Sequence, residues 1–168
     1  MASQKVYATA GTAATFKDSG GTAAMTLQNL ANGVGRISAQ WDRGSGASLP
    51  IRHRVRCVFP FQATHTVVVG TYVEVYLATS DGTNIDGTVG TADAGLTAVQ
   101  CNNLRLIGLV IVDVVAADTK ITATFTVDLY ERYVSVGVFN NTADHLQDDA
   151  NAASITITPY PDDIQAAA

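Results

Sequence analysis

Positions 104–115 read LRLIGLVIVDVV, the most apolar stretch of the chain, interrupted only by Arg105 and Asp113. It is too short to cross a bilayer as a helix, which takes about 20 residues. It has no helical period either, since both faces of a helix would be apolar. Its Val, Ile and Leu residues suit a pleated surface. The stretch reads as the central strand of a β protein, covered on both faces, or on one face with a subunit contact on the other.

Shorter strands are expected around it. Downstream, Ile121, Ala123, Phe125, Val127 and Leu129 alternate with Lys120, Thr122, Thr124, Thr126 and Asp128. That period of two marks a strand with one buried face. Val134, Val136 and Val138 make the next strand, and Asn140-Asn141 opens a polar loop. Ile155 and Ile157 make the last strand, stopped by Pro159 and Pro161. Upstream, Val73, Val75 and Leu77 point inward, leaving Tyr72, Glu74 and Tyr76 outward. His53, Val55 and Cys57 alternate with Arg52, Arg54 and Arg56. Gly35, Ile37, Ala39 and Trp41 share one face of a half-buried strand, with Arg36, Ser38, Gln40 and Asp42 on the other. Met25 and Leu27 suggest a first core strand before the Asn32-Gly33 turn. About eight strands in one domain predict an all-β, antiparallel two-sheet sandwich, a jelly roll. An immunoglobulin-like sandwich is the alternative. The expected organisation is an N-terminal arm at 1–22, one domain at 23–162 and a tail at 163–168. In the arm, Val6, Tyr7 and Phe16 could anchor one short strand.

Charged residues are 15% of the chain, against about 25% in an average domain. That suits a β protein that hides surface in an assembly. The net charge of −5 argues against a general nucleic-acid binder. Residues 1–60 hold seven cations against two acids; residues 61–168 hold three against thirteen. A basic front and an acidic back could dock head to tail or onto a charged partner. The start, MASQKVYATAG, lacks the apolar core of a signal peptide, and no transmembrane segment is expected. Folding in a cytoplasm fits the two cysteines, with Cys57 read as a buried free thiol beside Val55 and Phe59.

No catalytic motif appears, and neither an enzyme nor a cofactor is expected. Two thiols without CxxC or clustered histidines make no zinc site. Asp81, Asn84 and Asp86 hint at a calcium loop, but their spacing does not match D-x-[DN]-x-[DN]-G, and Asp-Gly pairs are common turn chemistry. Arg52, Arg54 and Arg56 must point the same way from a strand. They read either as a contact stripe for a carboxylate-bearing partner or nucleic acid, or as a solvated face paired with acids across strands. The expected contact residues are Lys5, Tyr7, Phe16 and Lys17 of the arm, Arg36, the three stripe arginines, and the outward Tyr72 and Tyr76. A symmetric oligomer, a trimer, is expected from the low charge and the two-sided apolar stretch. A carbohydrate-binding sandwich in a phage tail or fibre is the rival reading, with Trp41, Tyr72, Tyr76, Tyr130 and Tyr133 as stacking candidates.

Several blocks resemble a family of phage structural proteins, the head decoration or cement proteins with a jelly-roll fold. They are NLANG at 29–33, YVEVYLATSDGTNIDG at 72–87, NLRLIGLVIV at 103–112, RYVSVGVFNNTADHL at 132–146 and ITITPYPDDIQ at 155–165. The resemblance implies a small domain on the outside of a capsid, often trimeric, that bridges major capsid subunits against internal DNA pressure. It does not extend to residues 1–22. No nucleic-acid or membrane partner is implied.

Overall fold

A computed structural model describes residues 12–45, 49–61, 67–87, 90–114 and 120–160. It is an all-β sandwich with one four-residue helix among the described residues. The strands are β1 (Ala14–Lys17), β2 (Ala23–Ala24), β3 (Gly35–Ile37), β4 (Trp41–Asp42), β5 (Arg52–Pro60), β6 (Tyr72–Ser80) and β7 (Ala94–Leu96). After helix α1 (Ala98–Cys101) come β8 (Arg105–Ile111), β9 (Lys120–Asp128), β10 (Tyr133–Asn141) and β11 (Ser154–Pro159).

One sheet runs β2-β1-β11-β5-β9 and the other β7-β3-β10-β6-β8. Eight of these strands form nested antiparallel pairs: β6 with β8, β5 with β9, β3 with β10, and β1 with β11. A long antiparallel hairpin rolled so that successive pairs alternate between two sheets gives this order, the jelly roll. The short β2 and β7 are additions at its margins and β4 is a second short partner of β10 beyond β3, which is why the described strands number eleven rather than about eight.

The core lies between the sheets. Val55, Cys57 and Phe59 of β5, Val73 and Val75 of β6, Val136 and Val138 of β10, and Ile155 and Ile157 of β11 are all inaccessible to solvent. Fully burying each such side chain is worth about 1.5–3 kcal/mol. Cys57 is a buried free thiol, as expected, and burial pushes its pKa up to about 12.

Four expectations need correcting. The apolar stretch at 104–115 is not central: β8 closes one margin of its sheet. Val110 and Val112 face the core, while Leu106, Leu109 and Ile111 are exposed. The middle of that sheet is β10, whose seven inner positions are all buried. Asn140, read as loop, is a buried strand residue. Its Nδ2 donates to the carbonyls of Leu30 (2.8 Å) and Asp144 (2.7 Å), and its Oδ1 accepts from the Thr142 amide. Met25 and Leu27 are buried but outside any strand; the amides of Leu27 and Gln28 bond the Asp18 carboxylate instead. The single strand expected over 35–42 is split into β3 and β4. Between them the amides of Ala39 and Gln40 turn to the carbonyls of Ala24 and Thr91.

The arm expectation also changes. Residues 14–17 are a strand of the domain, and Phe16 is fully buried, with its ring edge-on to Trp41 at 6.2 Å. Lys5 and Tyr7 lie outside the described residues, as does the tail at 163–168. No helix among the described residues is long and apolar enough to cross a membrane.

Candidate functional site

The outward face of the β1-β11-β5-β9 sheet carries Lys17, Arg52, Arg54, Arg56 and Lys120 among the described residues. In β5, His53, Val55, Cys57 and Phe59 turn inward, so strand parity forces Arg52, Arg54 and Arg56 out. His53 is buried with Nδ1 2.8 Å from the Ile51 carbonyl, and desolvation lowers its pKa. It anchors the strand and takes no part in the face.

The cross-strand neighbours decide what the stripe is. Arg54 lies between Thr158 of β11 and Thr126 of β9; Arg56 lies between Thr156 and Thr124. Only Arg52 has an acid opposite, Asp128, at 3.5 Å between exposed side chains. The reading of a face paired with acids across strands therefore holds at Arg52 and fails at Arg54 and Arg56. Thr15, opposite Thr156, extends the threonine border onto β1. Lys17 and Lys120 have the same outward parity at the upper end of the face. Among the outward strand residues of this sheet, five cations meet the single carboxylate of Asp128. Threonine hydroxyls beside guanidinium groups offer donors to a carboxylate-rich surface, and arginine can grip a carboxylate with two parallel bonds. At the lower end, Arg52, Arg105, Thr126, Asp128 and Tyr160 line an open groove.

The two other described cations of the basic front, Arg36 and Arg43, are engaged within the fold. Arg36, expected as a contact residue, is held inside the fold: Nε and Nη2 bond both oxygens of Asp93, at 2.7 and 2.9 Å. Burial raises the pKa of Asp93, but hydrogen bonds from Arg36 and Thr26 outweigh it, and the net shift is downward. Arg43 donates to the carbonyls of Leu129 and Glu131, tying two loops together. In the acidic half, Arg132 makes a two-pronged bond to Asp42 and lies 4.7 Å over the Tyr133 ring.

Of the two tyrosines expected on the outside, one is open to solvent. Tyr72 is half-exposed on the outside of the other sheet. Tyr76 also turns away from the sandwich core, but Leu96, Cys101 and Phe139 cover it. Its hydroxyl donates to Glu74 Oε2 at 2.7 Å, and burial raises its pKa. The cover is the segment of β7 and α1, held by a capping box in which Thr97 and Gln100 satisfy each other's amides. Trp41 is half-buried against Phe16, whereas Tyr130 and Tyr160 are exposed.

The Asp-Gly loop uses its acids for turns. Asp81 Oδ1 accepts from the amides of Thr83 and Asn84, each at 2.7 Å, and Asp86 accepts from the Thr79 hydroxyl. The described residues contain no group of three His, Cys, Asp or Glu side chains that could hold a metal.

The stripe and its parity were visible as Arg-x-Arg-x-Arg. The roles of Thr15, Thr156, Thr158, Lys120 and Tyr160 were not. The alternation in ITITP showed outward threonines, but nothing in sequence order placed β11 and β1 beside β5. No protein-family model matches the chain, and no curated protein matches it in sequence.

Proposed function

We propose that the protein is a structural virion component, a decoration or cement protein. It binds the outer surface of a phage head, after folding in the host cytoplasm, and bridges neighbouring major capsid subunits. The observation that carries the reading is the arginine–threonine face: Arg52, Arg54 and Arg56 in register, two of them flanked on both sides by threonine rather than acid. A sheet face carrying five outward cations suits a broad acidic protein surface better than a small ligand. The resemblance of the blocks within residues 29–165 supplies the capsid as that surface.

Co-sedimentation with undecorated heads tests it. Wild-type protein is expected to pellet with heads, and binding should weaken as salt rises. Arg54→Glu with Arg56→Glu should abolish pelleting without unfolding the domain. Wild-type protein that stays in the supernatant at micromolar concentration counts against the reading. A truncation testing the arm must stop before Thr12, since β1 belongs to the core.

The groove beside Tyr160 favours a second reading, a carbohydrate-binding module of a tail or fibre. An exposed tyrosine next to Arg52 and Asp128 offers a stacking ring with polar partners. A glycan array without hits removes it.

A further inference from the structure

Tyr130 and Tyr160 are the two aromatic side chains among the exposed large hydrophobics of the described residues, at 73% and 55%. Each lines a hollow at the lower end of the sandwich. The groove beside Tyr160 measures about 470 Å³. A second hollow of about 240 Å³ lies beside Tyr130, with the buried Leu77, Leu129 and Val134 in its wall. Arg105 and Asp128 line both, so the two hollows meet there as one cleft. Small-molecule sites span about 300–1,000 Å³, and the cleft is of that order.

Main-chain bonds fix both tyrosines in place. The Tyr160 amide donates to the Arg52 carbonyl at 2.9 Å, and the Leu129 amide to the Ile51 carbonyl at 2.8 Å. Arg43 Nη1 donates to the carbonyls on either side of Tyr130, those of Leu129 at 3.2 Å and Glu131 at 2.6 Å. A large ring on a fixed backbone gives contact area at low entropy cost. Its face suits the apolar face of a sugar ring, and the polar groups around it suit hydroxyls.

The two halves of the cleft differ in charge. Beside Tyr160 two guanidinium groups, Arg52 and Arg105, meet one carboxylate, Asp128. Arg52 Nε pairs with Asp128 Oδ1 at 3.5 Å. Arg105 Nη1 donates to the Asp128 main-chain carbonyl at 3.2 Å, an uncharged acceptor. A ligand carboxylate here meets Arg105 within the positive field of Arg52. Beside Tyr130 the balance reverses, with Asp86, Asp128 and Glu131 against Arg105. Those acids repel a second carboxylate but accept from hydroxyl groups.

We propose that this cleft binds a saccharide of at least two rings. A carboxylate-bearing ring stacks on Tyr160 with its carboxylate on Arg105, and an uncharged ring lies against Tyr130. The proposal deepens the saccharide reading and rests on it; the capsid reading is tested separately, at Arg54 and Arg56.

A glycan array tests it with three kinds of probe: sialyllactose and hyaluronan tetrasaccharide, uncharged lactose and chitotetraose, and all-acidic tetragalacturonate. Binding is expected for the first kind, about tenfold or more tighter than for the other two. No hits at all remove the saccharide reading and this inference with it. Uncharged or all-acidic probes bound as tightly leave the saccharide reading standing and overturn this inference. Calorimetry with the tighter of the first two probes then assigns the halves. Tyr160→Ala and Arg105→Gln should each raise Kd about tenfold or more. Tyr130→Ala should weaken that probe but not its isolated acidic sugar, sialic acid or glucuronate. The three altered side chains are exposed, and circular dichroism checks that each variant is folded. Variants that bind as wild type, or a Tyr130→Ala that weakens the single sugar equally, overturn the assignment.

Discussion

At the scale of single residues, two polar side chains show opposite energetics. Ser135 on β10 is fully buried, and its Oγ has no hydrogen-bond partner among the described residues. A buried hydroxyl without a partner costs free energy that its apolar counterpart does not. Ser135→Ala should therefore leave stability unchanged or raise it by up to about 1 kcal/mol, read from urea denaturation midpoints. Asp93 is the reverse case, a carboxylate held by Arg36 and Thr26 with its pKa lowered from 3.8. A carboxyl with a depressed folded pKa contributes stability that is complete above its unfolded value. That contribution is lost as pH falls through the folded one. Melting temperature should thus decline below about pH 4, and in Asp93→Asn part of that decline should be absent while stability at pH 7 is reduced. An unchanged acid limb in the variant would show that other carboxylates carry the effect.

Among elements, β8 and β5 differ in what their parity exposes. β8 is tied to the opposite sheet through Gly108, where a Cβ would sit 2.1 Å from a ring carbon of Phe125. The ring fills the space between β8 and β9, so Gly108→Ala should cost about 1–3 kcal/mol. The same substitution beside Phe125→Leu should cost less, because the two sites share that space. Chemical denaturation of the four proteins of this cycle measures the coupling. On β5 the outward side chains take no part in the core. Arg54→Glu and Arg56→Glu should each shift stability by no more than about 0.5 kcal/mol, by thermal melts, while head binding is lost. A large loss of stability from either would mean that the stripe serves the fold.

For the whole molecule, the nested pairing ties the first described strand to the last. β1 covers the edge of β11, and Phe16 fills the core against Trp41. Removing residues 1–11 should leave cooperative unfolding intact. Removing residues 1–17 should abolish it, because β11 loses its outer neighbour and the core loses Phe16, a change of about 3–5 kcal/mol by itself. Near-ultraviolet circular dichroism and denaturant titration of the two truncations separate these outcomes. Much of this molecule could be read from residue order. Period-two alternation identified β5, β6, β9, β10 and β11, told inside from outside along each, and found the arginine stripe, because neighbouring side chains on a strand must point opposite ways. It could not rank the strands. LRLIGLVIV is more apolar than RYVSVGVFNN, yet the second lies mid-sheet and the first at the margin. Hydrophobicity records that a side chain avoids water, not whether its cover comes from the same chain or from another. Strand order, the threonine columns beside Arg54 and Arg56, and the burial of Phe16 and Tyr76 follow from pairings between segments far apart in the chain. Those pairings are set by how the roll closes on itself, and no local pattern encodes them.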